Sequence, residues 1–219
     1  SDETSMEHVV QGVDALSGIL AGAIEDCQQQ RPSTRVGLVE WNLWSVASHR
    51  DGKNFTEFYD VQHGLFTASM VHAFVRLSPE LELANFYMLL NPMGIFIHRG
   101  AEVVETCLAE VFRFYRPAFP GDVLPVQVQS PLMGGAAVLD SLVLRNTDGM
   151  WLFVVNRHAS LPVKLGVTGL ELSGAKVCTL VGKHLDGAFE RTESVAPGHE
   201  LLLPPLSITR VQIVQTVAK

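Results

Sequence analysis

The sequence predicts a multi-domain chain: an α/β unit over residues 1–117, then an all-β unit over residues 118–219. Three observations support this. The first half alternates helical and strand-like apolar patterns, the grammar of a parallel sheet. Pro117, Pro120, Gly121 and Pro125 then punctuate a boundary. Beyond them come short apolar runs separated by turn residues, which read as an antiparallel β-sandwich.

From Met6 to about Cys27, Val9, Val13, Leu16, Ile19, Leu20 and Ile24 recur at helical spacing. Pro32 and Ser33 stop that pattern. Val36 to Val39 is apolar at nearly every position, as in a buried parallel strand. Ser45 to Phe58 is polar, with Asp51-Gly52 as a turn signal. Asp60 is a suitable N-cap for a second helix carrying Leu65, Ala68, Met70, Val71, Phe74 and Val75 and ending near Ser78-Pro79. Glu82 to Leu90 reads as the next strand. Asn91-Pro92 opens a loop through Gly94 and Gly100, and a third helix is expected from Ala101 to about Tyr115. In the second half, Val138 to Leu144 and Met150 to Val155 flank Asn146-Thr147-Asp148-Gly149, a hairpin signal. Further strands are expected at Val163 to Val167, Lys176 to Leu180 and Leu206 to Val214. Two strands with three helices cannot close a barrel or a doubly wound sheet. The first half therefore reads as the last quarter of a larger α/β domain, with an uncovered sheet edge.

Glu40 stands out within Arg35-Val36-Gly37-Leu38-Val39-Glu40-Trp41-Asn42-Leu43-Trp44. An apolar strand ends in a carboxylate, and two tryptophans and an asparagine follow. In a parallel α/β barrel, a group at the carboxyl end of a strand faces the active-site mouth. A carboxylate beside flat aromatic faces suits sugar chemistry, in which it stabilises or attacks an oxocarbenium-like centre.

Composition removes other classes. A net charge of -7 argues against a nucleic-acid partner, which needs clustered Lys and Arg. No run of roughly 18 apolar residues predicts a membrane span. Cys27, Cys107 and Cys178 are far apart and odd in number, which favours free thiols and a reducing compartment such as the cytoplasm. The eight histidines show no ligand spacing. His63 and His72 are at the wrong interval for chelation from one helix face, so no metal is expected.

At Glu40-Trp41-Asn42-Leu43-Trp44 the chain resembles the α-L-arabinofuranosidases of glycoside hydrolase family 51. The resemblance continues through the helix at Asp60 to Arg76 and through Leu83-Ala84-Asn85 and Leu90-Asn91, which resemble the family's final barrel strand. Val138-Leu139-Asp140, Val154-Val155-Asn156-Arg157 and Leu203-Pro204-Pro205-Leu206-Ser207-Ile208-Thr209 resemble its C-terminal β-domain. It implies the C-terminal part of a (β/α)8 barrel followed by an antiparallel β-sandwich. It implies Glu40 as the nucleophile of a retaining hydrolysis through a covalent arabinosyl-enzyme, with Trp44 and Asn42 shaping the sugar site. The implied partners are an arabinose-containing glycan and the missing N-terminal part of the barrel, and a homo-oligomer is compatible with these features. No cofactor is implied, because two carboxylates suffice. The family's acid/base glutamate follows a Gly-Asn pair on an earlier strand, and no Gly-Asn-Glu occurs in these 219 residues. Met88 stands where many members carry a glutamine, which keeps open an endoglucanase-like relative. A non-catalytic carbohydrate- or partner-binding fragment is the alternative from another class.

Plainer roles compete for several residues. Trp41 reads equally as a core aromatic, and Asn42 as a group satisfying backbone at the strand end. Glu57 and Asp60 are the nearest further carboxylates, for which loop solvation and N-capping are the simpler roles. Arg157 reads as a contact at the sandwich edge.

Overall fold

The computed structural model describes residues 2–43, 59–90 and 94–213. The expected turn at Asp51-Gly52, the Asn91-Pro92 loop opening, and the candidates Trp44 and Glu57 lie outside the described residues. No helix among the described residues is long and apolar enough to cross a membrane.

Helix α1 (Asp2–Gln30) carries Asp2 and Glu3 in its first turn, where the helix dipole favours anions. It buries Met6, Val9, Val10, Val13, Leu20 and Ile24. Strand β1 (Val36–Trp41) follows. Helix α2 (Val61–Arg76) is capped by Asp60, whose side chain accepts from the His63 N–H. Strand β2 (Leu81–Phe86) lies parallel to β1, with Val36 opposite Leu81 and Trp41 opposite Phe86. These two strands form a sheet of their own. Val36, Leu38, Ala84 and Phe86 pack on the helices. Val39 and Leu83 are exposed, Val39 to 76%. The strand expected to be buried on both faces is therefore covered on one only.

The next segment departs from expectation. Residues 101–115 are not one helix. Strands β3 (Phe96–Arg99) and β4 (Glu102–Glu105) form a hairpin, and the helix, α3, is only Cys107–Tyr115. Gly100, at φ 63°, makes the hairpin turn that a helix could not accommodate. Thr106 then ends the strand, its hydroxyl donating to the Ile95 carbonyl at 2.8 Å.

After a 3-10 turn at Arg116–Ala118, strand β5 (Asp122–Leu124) begins a six-stranded antiparallel sheet. The short pair β6 (Leu132–Met133) and β7 (Ala136–Ala137) leads into β8 (Leu139–Asn146) and β9 (Gly149–Asn156), the expected hairpin around Asn146–Gly149. Strands β10 (Val163–Gly166), β11 (Lys176–Gly182), β12 (Phe189–Val195), β13 (Glu200–Leu203) and β14 (Ser207–Ile213) complete the fold. The sheet order is β12-β11-β14-β9-β8-β5, with β10 and β13 paired separately.

This sheet is covered on both faces, and strand alternation sorts the side chains. Leu142, Leu144, Trp151, Phe153 and Val155 join the core shared with α1, α2 and α3. Val143, Leu152 and Val154 join a second core under Leu201 and Leu203 of β13. The chain is thus mostly β-sheet with a helical layer on one side.

Candidate functional site

Glu40 is the penultimate residue of β1, at the strand's carboxyl end, and its side chain is exposed. Its neighbours fix the strand end. Trp41 points the other way and is 6% exposed. Its ring meets Phe74 at 4.9 Å and Phe86 at 5.0 Å, both edge-on, so it anchors β1 to α2 and β2. The core reading of Trp41 holds.

Asn42 bridges backbones. Its Nδ2 donates to the Tyr87 carbonyl, and its Oδ1 accepts from the Leu43 N–H at 2.7 Å. One amide thereby locks the carboxyl ends of β1 and β2 together immediately after Glu40. Asp60 is also engaged: Oδ1 accepts from the His63 N–H at 3.1 Å and lies 2.7 Å from His63 Nδ1. It acts as an N-cap. The first turn of α2 is tied to the β-domain, because Val61 N–H donates to Gly187 O and Gln62 N–H to Leu185 O.

A cluster of perturbed titratable groups lies elsewhere, between the helices and the sheet. Tyr115 Oη meets His72 Nε2 at 2.7 Å, and His72 Nδ1 is 3.4 Å from Asp140 Oδ1. Arg76 Nη1 bonds that same oxygen at 2.7 Å and the Ser141 carbonyl at 3.0 Å. Burial lowers the His72 pKa below its ordinary value despite Asp140, so the ring is neutral near pH 7. Its Nε2 then accepts from Tyr115, whose pKa burial raises. Burial works against the Asp140 charge, but His72 and the Arg76 guanidinium outweigh it and hold the carboxyl below the usual range. With His72 neutral, Arg76 is the partner that matters. Perturbed groups often mark active sites. Here His72 is wholly buried and Tyr115 is 3% exposed, so no substrate reaches them. The cluster joins α2 and α3 to β8.

Arg157 is not at the sandwich edge. It is 3% exposed, donates to the Ala137 carbonyl and sits 3.9 Å from Asp14 of α1. A cavity of about 300 Å³ opens beside Arg76, Asp140 and Arg157, and Glu40 is not among its walls. All three cysteines are free. Among the described residues, no group of three or more His, Cys, Asp or Glu is placed to hold a metal ion.

The fold defines a β-rich domain with a parallel β-α-β element on its helical side. Residues 40–207 match the family described as the alpha-L-arabinofuranosidase C-terminal domain, and the chain belongs to that family. No curated protein sequence matches it. Among solved structures, the GH51 arabinofuranosidase from Xanthomonas axonopodis pv. citri is 17% identical with a TM-score of 0.84, over 97% of this chain and 48% of that one. The Thermotoga maritima alpha-L-arabinofuranosidase, solved as an arabinose complex, is 21% identical with a TM-score of 0.80, over 94% and 49%. The thermostable GH51 enzyme from Thermotoga petrophila RKU-1 is 22% identical with a TM-score of 0.78, over 93% and 49%. The chain thus spans about half the length of the solved structures it matches.

Proposed function

We propose that these residues are the C-terminal portion of a retaining α-L-arabinofuranosidase, with Glu40 as its nucleophile. Residues 1–117 are the last strands and helices of its (β/α)8 barrel, and residues 118–219 are its β-sandwich domain. The observation that carries this reading is the position of Glu40: an exposed carboxylate at the carboxyl end of a parallel strand, with a helix following that strand. The uncovered face of β1 and β2, with Val39 and Leu83 exposed, suits strands whose remaining barrel partners lie in the other half of the protein. Trp44 lines the sugar site in this reading, and Asn42 sets the geometry of the strand end.

In the reaction, the Glu40 carboxylate attacks the anomeric carbon of a terminal arabinofuranosyl group. The bond to the leaving oxygen breaks, and that oxygen takes a proton from an acid outside this chain. Water then attacks the glycosyl-enzyme and releases arabinose and free Glu40. Retention requires the two carboxyl groups to stand about 5–5.5 Å apart. Asp60, the nearest described carboxylate in sequence after Glu40, is occupied as a cap.

The test uses an aryl arabinofuranoside. The 219-residue chain alone should show no turnover, because proton donation contributes about 10² to 10⁴ in rate and substrate positioning contributes more. The full-length protein should turn over, and its Glu40→Gln variant should be inactive yet folded. An active Glu40→Gln full-length enzyme overturns the assignment.

A further inference from the structure

The first turn of α2 is held from across the domain boundary. N–H groups at the start of a helix have no partner within the helix. The His63 N–H finds the Asp60 side chain. The Val61 and Gln62 N–H groups instead donate to Gly187 O at 3.0 Å and Leu185 O at 3.3 Å, both in the turn between β11 and β12.

Packing repeats this tie. Gly182 and Phe189 are a cross-strand pair of β11 and β12. Val61 and Gly64 lie three residues apart on α2, on one face of the helix. Val61 fills the space over Gly182, where a Cβ would lie 2.4 Å from Val61 Cγ1. The Phe189 ring fills the space over Gly64, where a Cβ would lie 2.3 Å from Cε2 and 2.8 Å from Cζ. Each element thus seats a side chain on the other's glycine, and a slide of α2 along the sheet would drive one of them into backbone.

The joint reaches β1 through aromatic rings. Phe66 and Phe74 of α2 meet the Trp41 ring at centroid distances of 6.5 Å and 4.9 Å. Trp41 is buried and adjoins Glu40 in the strand. Close-packed interiors transmit displacement, so the seat of α2 on β11 and β12 bears on the strand end that carries Glu40.

We propose that Phe189 is a positioning residue for Glu40: seated on Gly64, it sets through α2 and Trp41 where the carboxyl end of β1 stands. Its effect on catalysis rests on Glu40 being the nucleophile; the mechanical coupling does not. Gly64→Ala displaces the ring, and Phe189→Leu deletes Cε2 and Cζ, the two atoms in the way. In the ¹⁵N-labelled 219-residue chain, Gly64→Ala should shift the Glu40 and Trp41 amides, and Gly64→Ala/Phe189→Leu should return them toward their parent positions. In the full-length enzyme, assayed well below every melting midpoint, Gly64→Ala should lower kcat for an aryl arabinofuranoside about tenfold or more with KM within about twofold, and the double variant should recover most of it. Val143→Ala is the control for lost stability alone, because Val143 belongs to the second core on the sheet's other side, and it should leave kcat unchanged. Phe189→Leu alone opens space instead of filling it, and it carries the same amide and kcat tests if Gly64→Ala does not fold. Unmoved Glu40 and Trp41 amides, an unchanged kcat in a folded variant, a double variant no better than Gly64→Ala, or an equal loss in Val143→Ala would overturn the proposal. An active full-length Glu40→Gln enzyme would remove the nucleophile assignment, while the amide shifts and their rescue would still establish the coupling.

Discussion

The Tyr115 hydroxyl donates to Nε2 of His72 at 2.7 Å, and this bond joins α3 to α2 inside the layer that also holds Asp140 of β8. Tyr115 stacks on Phe153 of β9 as well, with ring centroids 4.4 Å apart. A single side chain thus serves the helical layer with its hydroxyl and the sheet with its ring.

Tyr115→Phe separates the two contributions. The ring contact survives, and Nε2 of a buried imidazole loses its donor. Such orphaned groups cost about 1–3 kcal/mol. Urea unfolding should show a loss in that range, with an unchanged far-UV spectrum.

Acidification should weaken the same junction. His72 has a folded pKa below its ordinary 6.5, so the unfolded chain binds its proton first. Its contribution is fully present above 6.5 and is lost as pH falls through the lower folded value. Asp140, also depressed, contributes above its ordinary 3.8, and that stability is lost below it. Melting temperatures measured from about pH 7 to 5 should fall for the parent chain and fall less for His72→Gln. Equal slopes would remove His72 from the account.

Gly182 closes β11 against Val61, the first residue of α2. A Cβ at Gly182 would lie 2.4 Å from Val61 Cγ1 and 2.6 Å from Cγ2. Val61 is fully buried and stiff at χ1, so it has little room to yield. Gly182→Ala should destabilise by about 1–3 kcal/mol. Adding Val61→Ala should return part of that loss, and a double-mutant cycle measures the coupling.

Asn42→Ala removes the tie between the ends of β1 and β2 without touching Glu40. In the full-length enzyme this should lower kcat for an aryl arabinofuranoside by about 10–100-fold, with KM little changed, because misplacement of about 1 Å is costly. A rise in KM at constant kcat would instead make Asn42 a direct sugar contact.

Local signals in the sequence found the elements they govern. The apolar spacing of α1, the Asp60 cap of α2 and the Asn146–Gly149 turn each lie within a few residues of their cause. The β3–β4 hairpin was hidden because Val103 and Val104 run on into Leu108 and Val111 with helix-like spacing, and only Thr106 separates strand from helix. Strand β12 was missed because its residues, Phe-Glu-Arg-Thr-Glu-Ser-Val, are mostly charged or polar. That composition fits an outer strand of the sheet and resembles a loop. At the candidate site, the strand-end position of Glu40 and the bridging role of Asn42 were readable from the sequence. His72 was legible as a helical residue of α2. Its partners were not legible, since Tyr115 and Asp140 come from distant stretches and meet it only through packing.

The sheet with helices on one face and β13 on the other carries a consequence for how such proteins evolve. Leu142, Leu144, Trp151 and Phe153 share one core with residues of α1, α2 and α3, which lie on the N-terminal side of Pro117. A recombination event that moved residues 118–219 alone into another gene would carry those side chains into water. The change of composition near Pro117 therefore does not mark a transferable unit. The smallest heritable piece that keeps this sheet covered includes the helices before it. Natural shuffling should leave the β-domain attached to the α2 and α3 region, and any relative with a foreign N-terminal half should show these four positions replaced by polar residues.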